Sequence, residues 1–374
     1  MKKNNNKRIV IFSAYIPPHV GGIERYIENV VKQFNTMGWK SIIVTSNYNN
    51  ELEYQEEEFG EIIRLPVYNI FMKRYPIIKI NKRYRKLMKL LDNYDIKRVI
   101  VNTRFHLTTH VGVRYANKRE IPIYLIEHGS NYVTLNNKFI DFFANRYEEI
   151  LTYIIKRKVT GVYGVSEAAA KWLVKFGIKA DGVWYNSVNI NNNLVKKSHQ
   201  EINIMYAGRI IKQKGIDNIL EAFSMLVKKY NNINLYIAGD GGDLEYFKNN
   251  YQHKKIKFLG KLQYDELVKY YIKSDIFLYP PLWPEGLPTS ILEAGMYKLA
   301  VIATDSGGIT EIIDNGDNGI IVDKDVDSLY RAMEELINNK RLRDKYGNNL
   351  YKTVCNKFSW DKNVKKMLKD MGIK

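Results

Sequence analysis

Cysteine is nearly absent. Cys355 is the only one in 374 residues, so no intramolecular disulfide and no thiolate metal cluster can form, which suits a reducing, cytoplasmic setting. Long apolar runs are missing as well, and no stretch approaches the length of a membrane span. Acidic residues are in deficit, with 40 Asp and Glu against 58 Lys and Arg and a formal charge of +18. No solenoid-type repeat is visible. What is present is the composition of a globular protein, 45% hydrophobic and 26% charged, in a chain long enough to call for two domains. The opening "MKKNNNKRIVIFSAYIPPH" pairs a basic head with a short apolar stretch. That stretch runs into Pro17-Pro18 without a small-residue cleavage site, so a first buried strand is expected rather than a signal peptide.

The charge is uneven. Residues 1–190 carry 30 basic and 17 acidic side chains (+13), and residues 191–374 carry 28 and 23 (+5). The densest part is "RLPVYNIFMKRYPIIKINKRYRKLMKLL", Arg64 to Leu91, with nine Lys or Arg and no acid. Within it Tyr84, Leu87, Met88 and Leu91 share one helix face, while Arg83, Arg85, Lys86 and Lys89 lie off it. Such a segment suits an anionic membrane surface or a nucleic acid, and equally a core helix with a basic outer face.

Strand and helix signals alternate throughout. "RIVIFSA", "SIIVTS", "VIVNT" and "IYLIEH" form one series of short apolar runs. "INIMYAG", "INLYIAG", "IKFLG", "DIFLYP" and "LAVIAT" form a second. Helical patterns such as "IERYIENVVKQF" and "GIDNILEAFSMLVKKY" fall between them. Alternation of this kind predicts parallel sheets covered by helices on both faces, and two series predict two such domains. Between them "YNSVNINNNLVKKSHQE" is polar and aperiodic, and reads as a connection.

Ligands of open parallel sheets sit beyond the carboxyl ends of the strands, so three strand-end loops carry the functional reading. "YIPPHVGGIERYI" puts Gly21-Gly22 at a helix start, where bare amides suit a phosphate or merely make a tight turn. "YAGRIIKQKG" puts Arg209 and Lys214 together, a planar fork and a mobile point charge able to hold a diphosphate. In "PEGLPTSILEA", Pro288 suits the first helical position and leaves the amides of Thr289 and Ser290 open. Glu285 and Glu293 flank that helix start. A phosphate there would repel both acids, so they are expected to accept hydrogen bonds from neutral diols on either side of it. A diphosphate between two polyols is the shape of a nucleotide-sugar.

The ordered set "PPHVGGIE", "EHGSNY", "AGRIIKQKG", "AGDGGD" and "PEGLPTSILEA" resembles the retaining glycosyltransferases of family 4 over nearly the whole chain. The Arg-x4-Lys and Glu-x7-Glu elements are its most specific parts, and the likeness is thinnest between about residues 50 and 120. The resemblance implies the α/β GT-B fold, two facing Rossmann-like, doubly wound domains with a cleft between them. Its expected division is residues 1–182 toward the acceptor, 183–357 toward the donor, and a final helix, 358–374, returning to the first domain. It implies that Glu293 holds a ribose and Glu285 the donor sugar, while Arg209 and Lys214 neutralise the diphosphate. Gly21 and Gly22 and the amides of Gly286, Leu287, Thr289 and Ser290 would assist. Lys261 would frame the base, and His128 of "EHG" would lie beside the reacting sugar. Transfer would proceed with retention, the departing phosphate taking the acceptor's proton on the same face. The expected donor is a UDP-sugar in preference to a GDP-sugar, with no metal or redox cofactor.

The expected acceptor is a glycan, lipid-linked, in surface polysaccharide or glycolipid assembly. Residues 64–91 would then hold the protein on the inner face of the cell membrane, with the Tyr84, Leu87, Met88 and Leu91 stripe entering the headgroups. Two other classes remain open on sequence grounds. A nucleotide-sugar epimerase or hydrolase would keep the phosphate site without needing an acceptor. A basic nucleic-acid binder would give Glu285 and Glu293 no role, so no nucleic-acid partner is expected. Three motifs are read as decoys. "DKDVD", Asp323 to Asp327, is expected to cap a helix rather than hold a metal. His106 and His110 lack the Glu of a zinc-protease helix, and "GDGGD" lacks dinucleotide-fingerprint spacing.

Overall fold

The structure, a computed structural model, describes residues 4–17, 19, 21–68, 76–132, 134, 137–190 and 200–373. Pro18 and Val20 of the first glycine loop, residues 69–75 of the basic run and 191–199 of the connection lie outside the described residues. The chain divides into two compact units, Met1–Asn186 with Trp360–Lys374, and Ser187–Ser359.

The first unit begins β1 (Asn4–Phe12), α1 (Gly22–Thr36), β2 (Lys40–Asn47), β3 (Tyr54–Glu57), β4 (Gly60–Tyr68), β5 (Ile77–Ile78) and α2 (Lys82–Leu90). It continues β6 (Tyr94–Asn102), α3 (Leu107–Lys118), β7 (Ile123–Glu127), α4 (Lys138–Ile155), β8 (Gly161–Gly164), α5 (Glu167–Trp172) and β9 (Gly182–Val183). Strand order is β3-β4-β2-β1-β6-β7-β8-β9, parallel from β4 to β9, with β3 and β5 antiparallel to β4. Both faces of this sheet are covered, which is why its strands read as continuous apolar runs. Ile9 and Ile11 of β1 point into a core with Tyr26, Val30 and Phe34 of α1. Val10 and Phe12 point the other way, into a core shared with α2 and α3.

That second core corrects one expectation. Leu87 and Leu91 are buried at 4% and 1% exposure, and Tyr84 and Met88 pack beside them. The stripe expected at a membrane is the inner face of α2. Arg64 is also no surface charge: it is buried in β4 and its Nε reaches Glu51 at 2.8 Å.

The second unit runs β10 (Ile202–Ala207), α6 (Ile216–Leu226), β11 (Ile233–Ala238), α7 (Leu244–Asn250), β12 (Ile256–Gly260), α8 (Tyr264–Lys273) and β13 (Ile276–Tyr279). It ends α9 (Thr289–Met296), β14 (Ala300–Thr304), β15 (Ile320–Val322), α10 (Val326–Asn338) and α11 (Lys340–Lys357). All its strand pairs are parallel, in the order β12-β11-β10-β13-β14-β15. Asp325 caps α10, accepting from the Ser328 amide at 2.8 Å.

The units meet a few residues from the expected boundary. β9 pairs with β8, and the buried Trp184 stacks on Tyr163 at 3.8 Å. Residues 183–186 therefore belong to the first unit rather than the second. At the far end Phe358 and Ser359 stay with the second unit, and α12 (Trp360–Asp370) packs on α1. Its Trp360, Val364 and Met367 enter the first core, and the Trp184 indole donates to Asp370 at 2.9 Å.

Candidate active site

In the second unit β10 lies between β11 and β13, so the chain winds outward in both directions from the β10/β13 edge. A crevice opens beyond the strand ends at such a switch point. The loop after β10 carries Arg209 and Lys214, and the loop after β13 carries Glu285. The two are joined where the Leu282 amide donates to the Gln213 carbonyl at 2.9 Å. Gly215, at φ +73°, packs where a Cβ would overlap the Pro280 carbonyl, so no other residue fits there without strain.

The 281–285 segment is held by a ladder of alternating contacts. The carbonyls of Pro281, Trp283 and Glu285 accept from the Thr304 hydroxyl at 2.7 Å, the Ser306 hydroxyl at 2.9 Å and the Gly308 amide at 3.0 Å. Three anchors on the strand-like side leave the other side of the segment to present its functional groups. Lys214, 8% exposed, pairs with Glu285 and donates to the Tyr279 hydroxyl at 3.1 Å. Ser290 also reaches that hydroxyl. Burial, then the Glu285 charge, raises the Tyr279 pKa far above the usual tyrosine value, so the phenol stays neutral.

Glu293 sits within α9, buried, and accepts from the fully buried Tyr271 hydroxyl at 2.9 Å. The two acids of the Glu-x7-Glu element thus stand in different surroundings, one against a cation and one against a phenol. Pro288 is the N-cap of α9 rather than its first helical residue, with Thr289 and Ser290 opening the helix. Leu287 is buried, Gly286 is half-buried, and Arg209 and Lys261 are exposed.

The first unit has its own switch point, between β1 and β6. Gly21 caps α1 with extended backbone and Gly22 begins it. The Glu24 carboxylate lies beside Gly21 and takes His19 Nδ1 at 2.8 Å, so this helix start already carries an anion. His128, after β7, meets Asn102 Oδ1 through Nε2 at 2.8 Å and stands edge-on to Tyr26 at 5.0 Å. Asn102 Nδ2 donates to the Phe12 carbonyl at 3.2 Å, which fixes the amide orientation. Burial pushes the His128 pKa down to about 4. The ring is therefore neutral near pH 7, with its proton on Nε2 and Nδ1 left as an acceptor.

A family model for Glycosyltransferase Family 4 matches residues 20–192, and one for Glycosyl transferases group 1 matches residues 190–353. The chain belongs to glycosyltransferase family 4. An uncharacterised glycosyltransferase of Methanocaldococcus jannaschii is 27% identical over 97% of each chain. CapM, a capsular polysaccharide biosynthesis glycosyltransferase of Staphylococcus aureus, is 30% identical over 48% of this chain and 50% of its own. Anabaena HepE, solved in complex with UDP and glucose, superposes with a TM-score of 0.75 at 16% identity, covering 97% of this chain and 99% of that one. The protein is a GT-B glycosyltransferase.

Several residues of the candidate site and its surroundings escaped the sequence reading. Tyr279 ends the apolar run of β13 and Tyr271 lies in α8, and nothing local in the sequence singles out either one. Thr103, at the β6 end, holds φ +64°, unusual for a β-branched residue, and its hydroxyl is buried with no partner among the described residues. Arg104, 1% exposed, bridges Glu127 at 2.9 Å and Glu148 at 2.7 Å. Glu127 also accepts from the amides of His128 and Gly129 at 3.1 and 3.0 Å, so this buried triad fixes the backbone on which His128 stands.

Proposed function

We propose that the protein transfers a hexose, with retention, from a UDP-sugar to a hydroxyl of a lipid-linked glycan in surface polysaccharide assembly. The observation that carries this reading is the convergence of Lys214, Glu285 and Ser290 on Tyr279 at the β10/β13 switch point. The likeness to CapM supports a place in polysaccharide assembly, and that to the UDP- and glucose-bound HepE supports the donor.

In the proposed reaction the bond between the anomeric carbon and the diphosphate oxygen breaks. The acceptor oxygen bonds to that carbon on the same face, and its proton passes to the departing phosphate. Negative charge grows on the diphosphate, which Arg209, Lys214 and the amides of Thr289 and Ser290 are arranged to stabilise. Lys214 then exchanges Glu285 for phosphate, and the freed carboxylate accepts from sugar hydroxyls. Glu293 accepts from the ribose while Tyr271 holds it in place. The neutral His128 offers Nδ1 to a hydroxyl of the transferring sugar.

Calorimetry with UDP and with UDP-glucose tests the assignment. Glu293→Ala is expected to weaken both ligands about tenfold to a hundredfold, the worth of one charge-assisted hydrogen bond. Glu285→Gln is expected to weaken UDP-glucose by a similar factor and to leave UDP bound at least as tightly as in the wild type, because Lys214 loses its competing anion. Equal losses for both ligands in both variants would overturn it.

A further inference from the structure

α4 is inside out. Its buried residues are Glu148, Thr152 and Ile155, so two of the three groups it turns inward are polar. Outward it shows Phe139 at 73% exposure, Phe142 at 57%, Phe143 at 56%, Ile150 at 60% and Tyr153 at 72%. With Arg146 these positions follow the i, i+3, i+4, i+7 spacing of a single helix face, and Arg157 lies in the turn two residues past its end. The stripe runs the length of the helix, about 27 Å at 1.5 Å per residue. Phe143 touches both Phe139 and Phe142, with ring centroids 5.0 and 5.5 Å apart. A contiguous apolar face of this kind marks a contact surface.

The charges on the helix say what covers it. Its three acids are all engaged: Glu148 with Arg104, Glu149 with Arg146 and Tyr132, and Asp141 with Thr134. The cations lie along or beside the aromatic stripe. Arg146 stands over Phe142 at 5.7 Å and Lys156 over Tyr153 at 5.0 Å, while Lys138, Arg157 and Lys158 are exposed at the two ends. Aromatic rings with cations snorkelling past them are the chemistry of the membrane–water interface. A second copy of the chain would bring like charges together across a two-fold axis. No helix among the described residues is long and apolar enough to cross a membrane, so the contact is one of lying on the surface.

We propose that the outward face of α4 docks the protein on an anionic lipid surface, with Phe139, Phe142, Phe143, Ile150 and Tyr153 at the headgroup–acyl boundary and Arg146 and Arg157 at the phosphates. The contact moves from the expected residues 64–91 to 138–158, because the apolar face of α2 is spent on the core and that of α4 is not. It holds whether or not the acceptor carries a lipid, so failure of the acceptor reading leaves it standing.

The test is co-flotation of the full chain with vesicles of phosphatidylglycerol and phosphatidylcholine in equal parts, and of phosphatidylcholine alone, at low and high salt. The wild type is expected to float with the anionic vesicles and to release as salt rises. Phe142→Ser with Phe143→Ser should cut partitioning about tenfold or more. Arg146→Ser with Arg157→Ser should cut it about thirtyfold on anionic vesicles, and flatten the salt dependence. Lys82→Ser with Lys86→Ser, on the outer face of α2, should stay within about twofold of wild type, since a docking face on α4 leaves these two charges beyond the reach of the lipid surface. All substituted side chains are exposed, so an unchanged thermal melt certifies folding. Flotation that ignores the α4 substitutions, or that is lost only with the α2 pair, overturns the proposal. So does a wild-type dimer in sedimentation that the Phe pair splits while no form floats, because the face then belongs to a second copy.

Discussion

Arg104→Met removes the cation from between two buried carboxylates. Arg104 and Glu127 are each 1% exposed and Glu148 is fully buried, with nitrogen–oxygen distances of 2.9 and 2.7 Å. Glu127 keeps the amides of His128 and Gly129, so the larger penalty falls on Glu148. Removing one partner of a buried ion pair costs about 3–5 kcal/mol, because the remaining charge stays desolvated. In a unit of roughly 200 residues each kcal/mol moves the midpoint about 2–4 °C, which gives an expected drop of about 6–20 °C in the transition of the first unit. The guanidinium also stands over Phe176 at 4.1 Å, a contact that methionine partly replaces. Arg104→Met combined with Glu148→Leu should recover most of the loss, since an apolar pair can substitute for a buried ionic one. Calorimetry of the full chain reads the midpoints, and hydrogen exchange should show α4 losing protection in the single variant. A single variant within about 2 °C of wild type, or a double variant no more stable than the single, would refute the argument that this triad is a paired structural unit.

Two further outcomes follow from the geometry. Burial lowers the pKa of His106, His110 and His128 from 6.5 to about 4, so between those values the unfolded chain binds more protons than the folded one. Stability should therefore fall as pH drops from about 6.5 toward 4, each ring adding at most about 1.4 kcal/mol per pH unit and the more open His110 less; a urea midpoint flat across that window would contradict neutral burial. Gly307→Ala places a Cβ onto the Glu285 carbonyl at φ +68°, and should cost about 1–3 kcal/mol and weaken UDP-glucose binding, whereas Gly242→Ala, in open space without positive φ, should be silent in both calorimetric measurements.

What could be read in the sequence was what lies close along the chain. The strand runs were legible because both faces of a parallel sheet are apolar, and the order β12-β11-β10-β13-β14-β15 then puts the ends of β10 and β13 at one edge. Lys214 needed only that edge to reach Glu285. The short strands β5 and β9, two residues each, carry no period of their own and exist because a neighbour pairs with them. The Arg104 triad was illegible for another reason: its members lie 23 and 44 residues apart, and nothing local marks a charge as buried.

Helix periodicity fails in a more instructive way. It identifies the apolar face of a helix without saying what that face meets. α2 and α4 both have one; in α2 it meets the sheet, and in α4 the sheet side is taken by Glu148 and Thr152. The two cases are linked by Arg104. A buried guanidinium behind β7 needs acidic partners, and Glu148 on α4 supplies one of them, so α4 must turn its polar face inward and its phenylalanines outward. The residue that fixes the backbone at His128 thus also sets which way α4 faces. Arg104→Met should accordingly weaken vesicle flotation along with stability, even though Arg104 itself is buried and reaches no surface.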